Sequence, residues 1–318
     1  MSLLLVVNGS GENWGPEPWR RRFTERLPQH RVATADEALA DREAFRYAAV
    51  WKPEPGLLAK FPGLQVIFNL GAGVDALLKD ATLPDLPLVR VVAQDLTKRM
   101  TEYVVLHCLI YHRRQRLLDD AQARASWEAK DQWAAAAMRV GIMGLGELGQ
   151  DAAEVLARIG FDVAGWSRTR KHLDGIRSYA GEAELGAFLA RTDILVALMP
   201  LTPETEGILD ARLFKGLARN GRLGAPVIIN AGRGGLQNEA DILACLDDGT
   251  LGAATLDVFH AEPLPADSPF WRHPKVTVTP HNAADSDAEA ISDYIAAQIR
   301  QYEAGEPLDN VVDRERGY

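Results

Sequence analysis

Short apolar runs alternate with longer amphipathic segments along all 318 residues, and that alternation restricts the fold more than any other feature. Runs that are apolar on both faces suit strands of a parallel sheet covered by helices. Leu3–Val7, Ala48–Trp51, Leu64–Asn69 and Val89–Val92 read as one strand series, with Lys52–Pro55 and Gly71–Gly73 as loops at two of the strand ends. Met100 to Gln122 reads as one long helix, its apolar face carrying Tyr103, Leu106, Leu109, Ile110 and Leu117. A second strand series comprises Arg139–Met143, Asp162–Trp166, Ile194–Met199, Val227–Asn230, Ala253–Val258 and Val276–Thr279. Helices Gln150–Ile159 and Asn238–Leu246 lie between these strands, and Asp287–Ala304 closes the chain with Ile291, Ile295 and Ile299 at intervals of four. The expected class is α/β, with two open parallel-sheet domains. Arg124–Ala137, with two tryptophans and an alanine run, reads as an excursion.

Composition removes several function classes. Hydrophobic residues make up 47% and charged residues 25%, enough apolar material for a large core and too much for a disordered chain. Lys and Arg total 35 against 44 Asp and Glu, a formal charge of -9 that repels phosphate backbones and anionic lipid. Nucleic acid and membrane are therefore not expected partners, and a small anion must be captured by a local cluster. Cys108 and Cys245 sit in apolar helical stretches and read as buried thiols. The N-terminal apolar run is too short for a signal peptide or a span, so a cytoplasmic setting is expected and the Asn8-Gly9-Ser10 acceptor pattern carries no weight.

Gly144-Leu145-Gly146-Glu147-Leu148-Gly149 follows an apolar strand and opens a helix. In that context the first glycine allows a tight turn, the second lets backbone approach a pyrophosphate, and the third lets helix and strand pack closely. The helix N-terminus then offers free N–H groups to the anion. The next strand ends in Ser167-Arg168-Thr169-Arg170-Lys171, where a cofactor with a free ribose would meet an acid. A hydroxyl and three cations can bind and neutralise a 2′-phosphate, so NADP(H) is the expected cofactor, with NAD(H) possible.

Arg233 lies just past strand Val227–Asn230, among glycines, where it could clamp a carboxylate and a carbonyl together. Asp257 lies at the end of the next strand, Glu262 follows it, and His281 follows the last. Four such groups at strand ends of one sheet, beside a nucleotide site, point to a His–carboxylate acid/base pair. A carboxylate touching the imidazole would fix its tautomer and suit it to donate a proton. No metal is expected: His107 and His112 are five apart, on different helix faces, and the chain has no Cys/His cluster.

In these motifs the chain resembles the D-2-hydroxyacid dehydrogenase family over nearly its whole length. The stretches that carry the resemblance are Asn69–Asp75, Val140–Gly149, Trp166–Lys171, Leu198–Thr205, Ile229–Gly234, Leu256–Pro265, Ser268–Trp271, Thr279–His281 and Asp313–Tyr318. The resemblance implies a Rossmann cofactor domain over residues 103–283. It also implies a flavodoxin-like substrate domain of residues 1–102 completed by residues 284–318, the catalytic cleft lying between the two, and a homodimer. Arg233 would bind the 2-oxo acid and polarise its carbonyl, His281 would donate the proton, and Glu262 would stand behind His281. Asp257 would hold the nicotinamide carboxamide, while Met199, Pro200, Thr205, Ala231 and Gly232 would line the dinucleotide. The backbone of Ala72, Gly73 and Val74 would take the substrate carboxylate, and Trp51 would shape a small pocket. The implied activity is reduction of small 2-oxo acids such as glyoxylate and hydroxypyruvate. Action on another 2-hydroxy acid, or dinucleotide sensing without catalysis, remain the alternatives.

Overall fold

A computed structural model describes residues 2–9, 14–92, 94–284 and 287–317. Ser10 of the Asn8–Ser10 pattern and Tyr318 of the terminal segment lie outside the described residues. The chain divides into two compact units, Met1–Leu96 with Ser286–Tyr318, and Thr97–Asp285.

The first unit holds a five-stranded parallel sheet of β1 (Ser2–Val7), β2 (Arg31–Thr34), β3 (Phe45–Trp51), β4 (Val66–Asn69) and β5 (Leu88–Val89), in the order β2-β1-β3-β4-β5. Because side chains alternate along a strand, Leu3, Leu5 and Val7 face one core and Leu4 and Val6 the other. The first core includes Trp19 and Phe23 of the helix Pro16–Arg26 together with Ile291, Ile295 and Ile299 of the final helix, Ala288–Glu303. The three isoleucines spaced at four are all fully buried, as an amphipathic helix closing this sheet requires. Asp287 caps that helix by accepting from the Glu289 N–H at 3.0 Å.

The second unit holds seven parallel strands: β6 (Arg139–Met143), β7 (Asp162–Ser167), β8 (Arg177–Ala180), β9 (Ile194–Ala197), β10 (Val227–Asn230), β11 (Ala253–Leu256) and β12 (Val276–Val278). Their order is β12-β11-β10-β9-β6-β7-β8, so the direction of winding reverses between β6 and β9. Val140, Ile142, Val196 and Ile229 pack on Val104 and Cys108 on one face. Leu195, Ile228 and Leu256 pack on Phe188 and Phe214 on the other. Both cysteines are free and buried.

Two differences from the sequence reading have physical causes. The edge strands β2 and β8 were not expected, because their exposed and half-buried residues form no apolar run. The expected helix from Met100 to Gln122 is two helices, Gln94–His112 and Gln115–Ala123, parted at Arg114 in the left-handed region (φ 55°). Arg116 pins the second helix to the last strand, donating to Pro274 O at 2.6 Å and to Thr277 Oγ1 at 3.2 Å. Among the described residues no helix is long and apolar enough to cross a membrane.

The helix Gln94–His112 buries His107 against the Tyr103 ring, with centroids 4.3 Å apart and Nδ1 left without a partner. Burial lowers the imidazole from 6.5 to about 4, so it stays neutral in the folded chain where the unfolded chain takes up a proton. The contribution is fully present above the unfolded value and is lost as pH falls through the window between the two. Urea unfolding midpoints should decline from about pH 6.5 toward pH 4. His107→Leu should flatten that part of the slope; an unchanged slope would rule this histidine out as the cause.

Candidate active site

All seven strands of the second sheet run parallel, so their carboxyl ends share one edge, and ligands in open α/β sheets bind there beside the winding reversal. The glycine turn follows β6 at that point. Gly144 has φ 103° and its N–H donates to Trp166 O at 2.8 Å, tying the turn to β7. A Cβ on Gly149 would lie 1.9 Å from Gly144 O, so only glycine lets the helix Glu147–Ile159 start this close to the turn. Over Gly146, by contrast, a Cβ would meet nothing within 4 Å. Open space above a glycine at a helix N-terminus fits the pyrophosphate of a dinucleotide.

After β10 the loop bearing Arg233 is held by two buried amides. Asn230 Nδ2 donates to Arg233 O at 3.1 Å and to Gln237 Oε1 at 2.9 Å. Gln237 Nε2 in turn donates to Val258 O at 2.9 Å, past the end of β11. Both amide side chains are fully buried. A Cβ on Gly234 would stand 2.0 Å from Phe259 O, so the loops after β10 and β11 touch backbone to backbone. Arg233 is half-buried, and its Nη1 donates to Gly232 O at 2.7 Å.

His281 and Glu262 meet as the sequence suggested: Nδ1 lies 2.7 Å from Oε2. Glu262 Oε1 accepts from the Phe259 N–H at 3.0 Å, which fixes the carboxylate. With Nδ1 engaged, Nε2 of His281 is the nitrogen left for a ligand. His281 itself sits in the left-handed region (φ 53°), unfavourable for a residue with a Cβ. Asp257 holds it there. Its backbone O accepts from the His281 N–H at 2.8 Å. Its carboxylate accepts from Thr279 Oγ1 at 2.6 Å, the Asn282 N–H at 3.0 Å and the Ala283 N–H at 3.1 Å. Asp257 is only 2% exposed, so those donors replace the water a buried carboxylate needs.

Known proteins resemble the chain over nearly its whole length. Residues 105–283 match the family model for the D-isomer specific 2-hydroxyacid dehydrogenase NAD binding domain. Glyoxylate/hydroxypyruvate reductase A of Serratia proteamaculans is 42% identical over 311 residues, covering 95% of this chain and 96% of that one. The chain belongs to the D-isomer specific 2-hydroxyacid dehydrogenase family. Among solved structures, the NADPH-dependent glyoxylate/hydroxypyruvate reductase of Sinorhizobium meliloti, crystallised with NADP and sulfate, is 47% identical. It superposes with a TM-score of 0.93, over 100% of this chain and 99% of that one. The Xanthobacter autotrophicus D-isomer specific 2-hydroxyacid dehydrogenase with NADPH and MES is 39% identical, with a TM-score of 0.91 over 100% and 99% of the two chains. This chain is thus a dehydrogenase, an oxidoreductase with a dinucleotide-binding domain.

The basic turn of this dehydrogenase is divided in its duties. Arg170 pairs with Glu184 and donates to Ser178 O at 2.5 Å, so this cation is committed to the fold. Ser167 Oγ donates to Thr169 O at 2.8 Å and must rotate before it can donate to a ligand. The Lys171 ammonium forms no ion pair among the described residues. The Thr202 hydroxyl, and more weakly the Arg168 guanidinium, hold the Glu204 carboxyl below its ordinary range, so Arg168 acts on the loop after β9. In that loop Thr205 Oγ1 donates to Pro200 O and accepts from the Thr202 N–H, each at 2.8 Å. Met199 is buried, and Pro200 is exposed beside it.

The remaining candidates lie in the first unit, at the carboxyl ends of β3 and β4. Trp51 ends β3, and a Cβ on Gly71 would fall 2.5 Å from its Cζ3. Asn69, which the sequence reading passed over as a site residue, is buried. Its Nδ2 donates to Gly71 O at 2.9 Å and to Gly73 O at 2.8 Å. With those carbonyls tied back, the N–H groups of Ala72, Gly73 and Val74 have no backbone acceptor among the described residues. Successive backbone amides without acceptors can make an anion site.

Asp257→Ala should free the Asn282 and Ala283 amides and release His281 from its left-handed backbone. The expected cost is about 1–3 kcal/mol of stability for the unpaired groups, with a fall in turnover larger than in dinucleotide affinity. Thermal unfolding and dinucleotide titration of the variant check this, and a wild-type turnover number would contradict it.

Proposed function

We propose that this chain reduces small 2-oxo acids with NADPH, taking glyoxylate to glycolate and hydroxypyruvate to D-glycerate. The observation that carries the reading is the 2.7 Å contact of His281 Nδ1 with Glu262, at the sheet edge that also bears Arg233. The balanced reaction consumes one 2-oxo acid, one NADPH and one proton, and yields one 2-hydroxy acid and NADP. The reduced nicotinamide supplies the hydride. Arg233 binds the carboxylate and carbonyl of the substrate and stabilises the charge that develops on oxygen. His281 gives its Nε2 proton to that oxygen, and Glu262 holds the ring for the transfer.

In this reading residues 103–283 bind the cofactor, while residues 1–102 with 284–318 bind the substrate. Gly144, Gly146, Glu147, Leu148 and Gly149 hold the pyrophosphate, and Arg168, Lys171 and a rotated Ser167 take the 2′-phosphate. Met199, Pro200, Thr205, Ala231 and Gly232 line the rest, and Asp257 accepts from the carboxamide in addition to anchoring the histidine loop. The amides of Ala72, Gly73 and Val74 take the substrate carboxylate, and Trp51 limits the size of the group beyond the carbonyl. The bound NADP and NADPH of the two solved relatives support the choice of cofactor.

Purified protein should consume NADPH with glyoxylate or hydroxypyruvate faster than it consumes NADH. His281→Ala should lower kcat by about 10²–10⁴-fold with a small change in KM. Arg168→Asp should weaken NADPH far more than NADH. Equal use of both cofactors would discard the basic-turn assignment, and near-normal kcat in His281→Ala would discard the proton donor.

A homodimer is proposed as the working form, supported by exposed Leu106, Leu117 and Trp127 in the stretch from the long helix to the excursion. Light scattering should give twice the chain mass, falling toward a monomer in Leu106→Glu/Leu117→Glu; a monomeric wild type overturns it.

A further inference from the structure

Beyond β3 the chain does not continue as an ordinary loop. Lys52 adopts the left-handed region (φ 49°), a conformation that a residue with a Cβ keeps only when its surroundings impose it. Asn8, at the end of the neighbouring β1, imposes it. Its N–H donates to Trp51 O at 3.0 Å and its Nδ2 donates to Lys52 O at 2.9 Å. The result is that the Lys52 ammonium stands over the Trp51 ring, 5.7 Å from the centroid. The same indole packs on Gly71, at the start of the loop whose amides at residues 72–74 lack acceptors. Lys52 is exposed and forms no ion pair among the described residues. An unpaired cation is thus held by a strained backbone, one indole away from a candidate carboxylate site, in a protein of formal charge -9.

We propose that Lys52 is a second anion subsite, which takes a further negatively charged group of the substrate. The favoured substrates then include 2-oxo acids with a carboxylate or phosphate beyond the carbonyl carbon, in addition to the small monoacids. This inference rests on the function proposed above. A cation partly open to water contributes modestly, so it sets preference among substrates and not the reaction itself. Trp51 and Lys52 act together here, the ring limiting the bulk of the group and the ammonium selecting its charge.

The test compares wild type, Lys52→Met and Lys52→Arg under saturating NADPH. The monoanionic substrates are glyoxylate and hydroxypyruvate; mesoxalate and oxaloacetate carry a second carboxylate, and 3-phosphohydroxypyruvate carries a phosphate. Lys52→Met should lower the ratio of kcat/KM for the multiply charged acids over the monoacids by about fivefold. Lys52→Arg should restore most of it, and added salt should shrink the wild-type ratio. The substrate arm that loses the most tells carboxylate from phosphate. If the ratio stays constant while the melting temperature drops in Lys52→Met, the lysine only caps the Trp51 ring and the subsite is refuted. If wild type turns over monoacids but none of the multiply charged acids, the subsite is refuted while the proposed function stands. If wild type turns over no 2-oxo acid at all, the proposed function falls, and the subsite with it.

Discussion

The Asp257 carboxylate, buried one residue past β11, draws in the Thr279 hydroxyl and the N–H groups of Asn282 and Ala283. A charge removed from water in this way costs several kcal/mol unless donors of this number surround it. The donors all come from the segment after the neighbouring strand, because β11 and β12 pair in parallel register and end side by side. The carboxylate therefore shapes the chain after β12 around itself, and His281 takes a backbone conformation it would not choose. Glu262 reaches the imidazole from the far end of the segment after β11. The contact between His281 and Glu262 is thus the consequence of one polar tie between adjacent strand ends. The Asn230–Gln237 amides make a second such tie between β10 and β11 and fix the Arg233 loop.

These ties rest on a sheet that is apolar on both faces, and that is the part of the structure most legible in the sequence. β1, β6, β9 and β10 are visible because each is an apolar run with polar residues only at its ends. β2 and β8 are not, since an edge strand is partly solvated and Arg177-Ser178-Tyr179-Ala180 looks like a loop by composition. The break at Arg114 was hidden for a different reason. Helical periodicity continues through it, and the turn is imposed by Arg116 reaching carbonyls distant in sequence. In the site, charged residue types at strand ends could be read directly. Asn69, Asn230 and Gln237 could not, because a buried amide that satisfies backbone carbonyls has the same one-letter appearance as an exposed one.

The basic turn after β7 carries the same lesson in electrostatic form. Three cations crowded within five residues repel one another, and the fold neutralises one of them internally. Glu184, which also accepts from the Ala180 N–H at 2.7 Å, takes Arg170. Counting charges along the sequence overstates the positive field offered to a ligand, because the count does not know which cation the adjacent helix will claim.

Across both units the polar groups fall into two sets. Asp257, Asn230, Gln237 and Asn69 are buried and hydrogen-bonded to other protein groups. The open face of Gly146, the Nε2 of His281 and the amides of residues 72–74 are left for other molecules. Two of these open groups are tied directly to the first set: the His281 N–H donates to Asp257 O, and Asn69 donates to the Gly71 and Gly73 carbonyls. Polar groups fixed in this way need little reorganisation to meet a charge. A parallel sheet suits the purpose because it brings many chain ends to one edge while its apolar body spends none of its polar groups there.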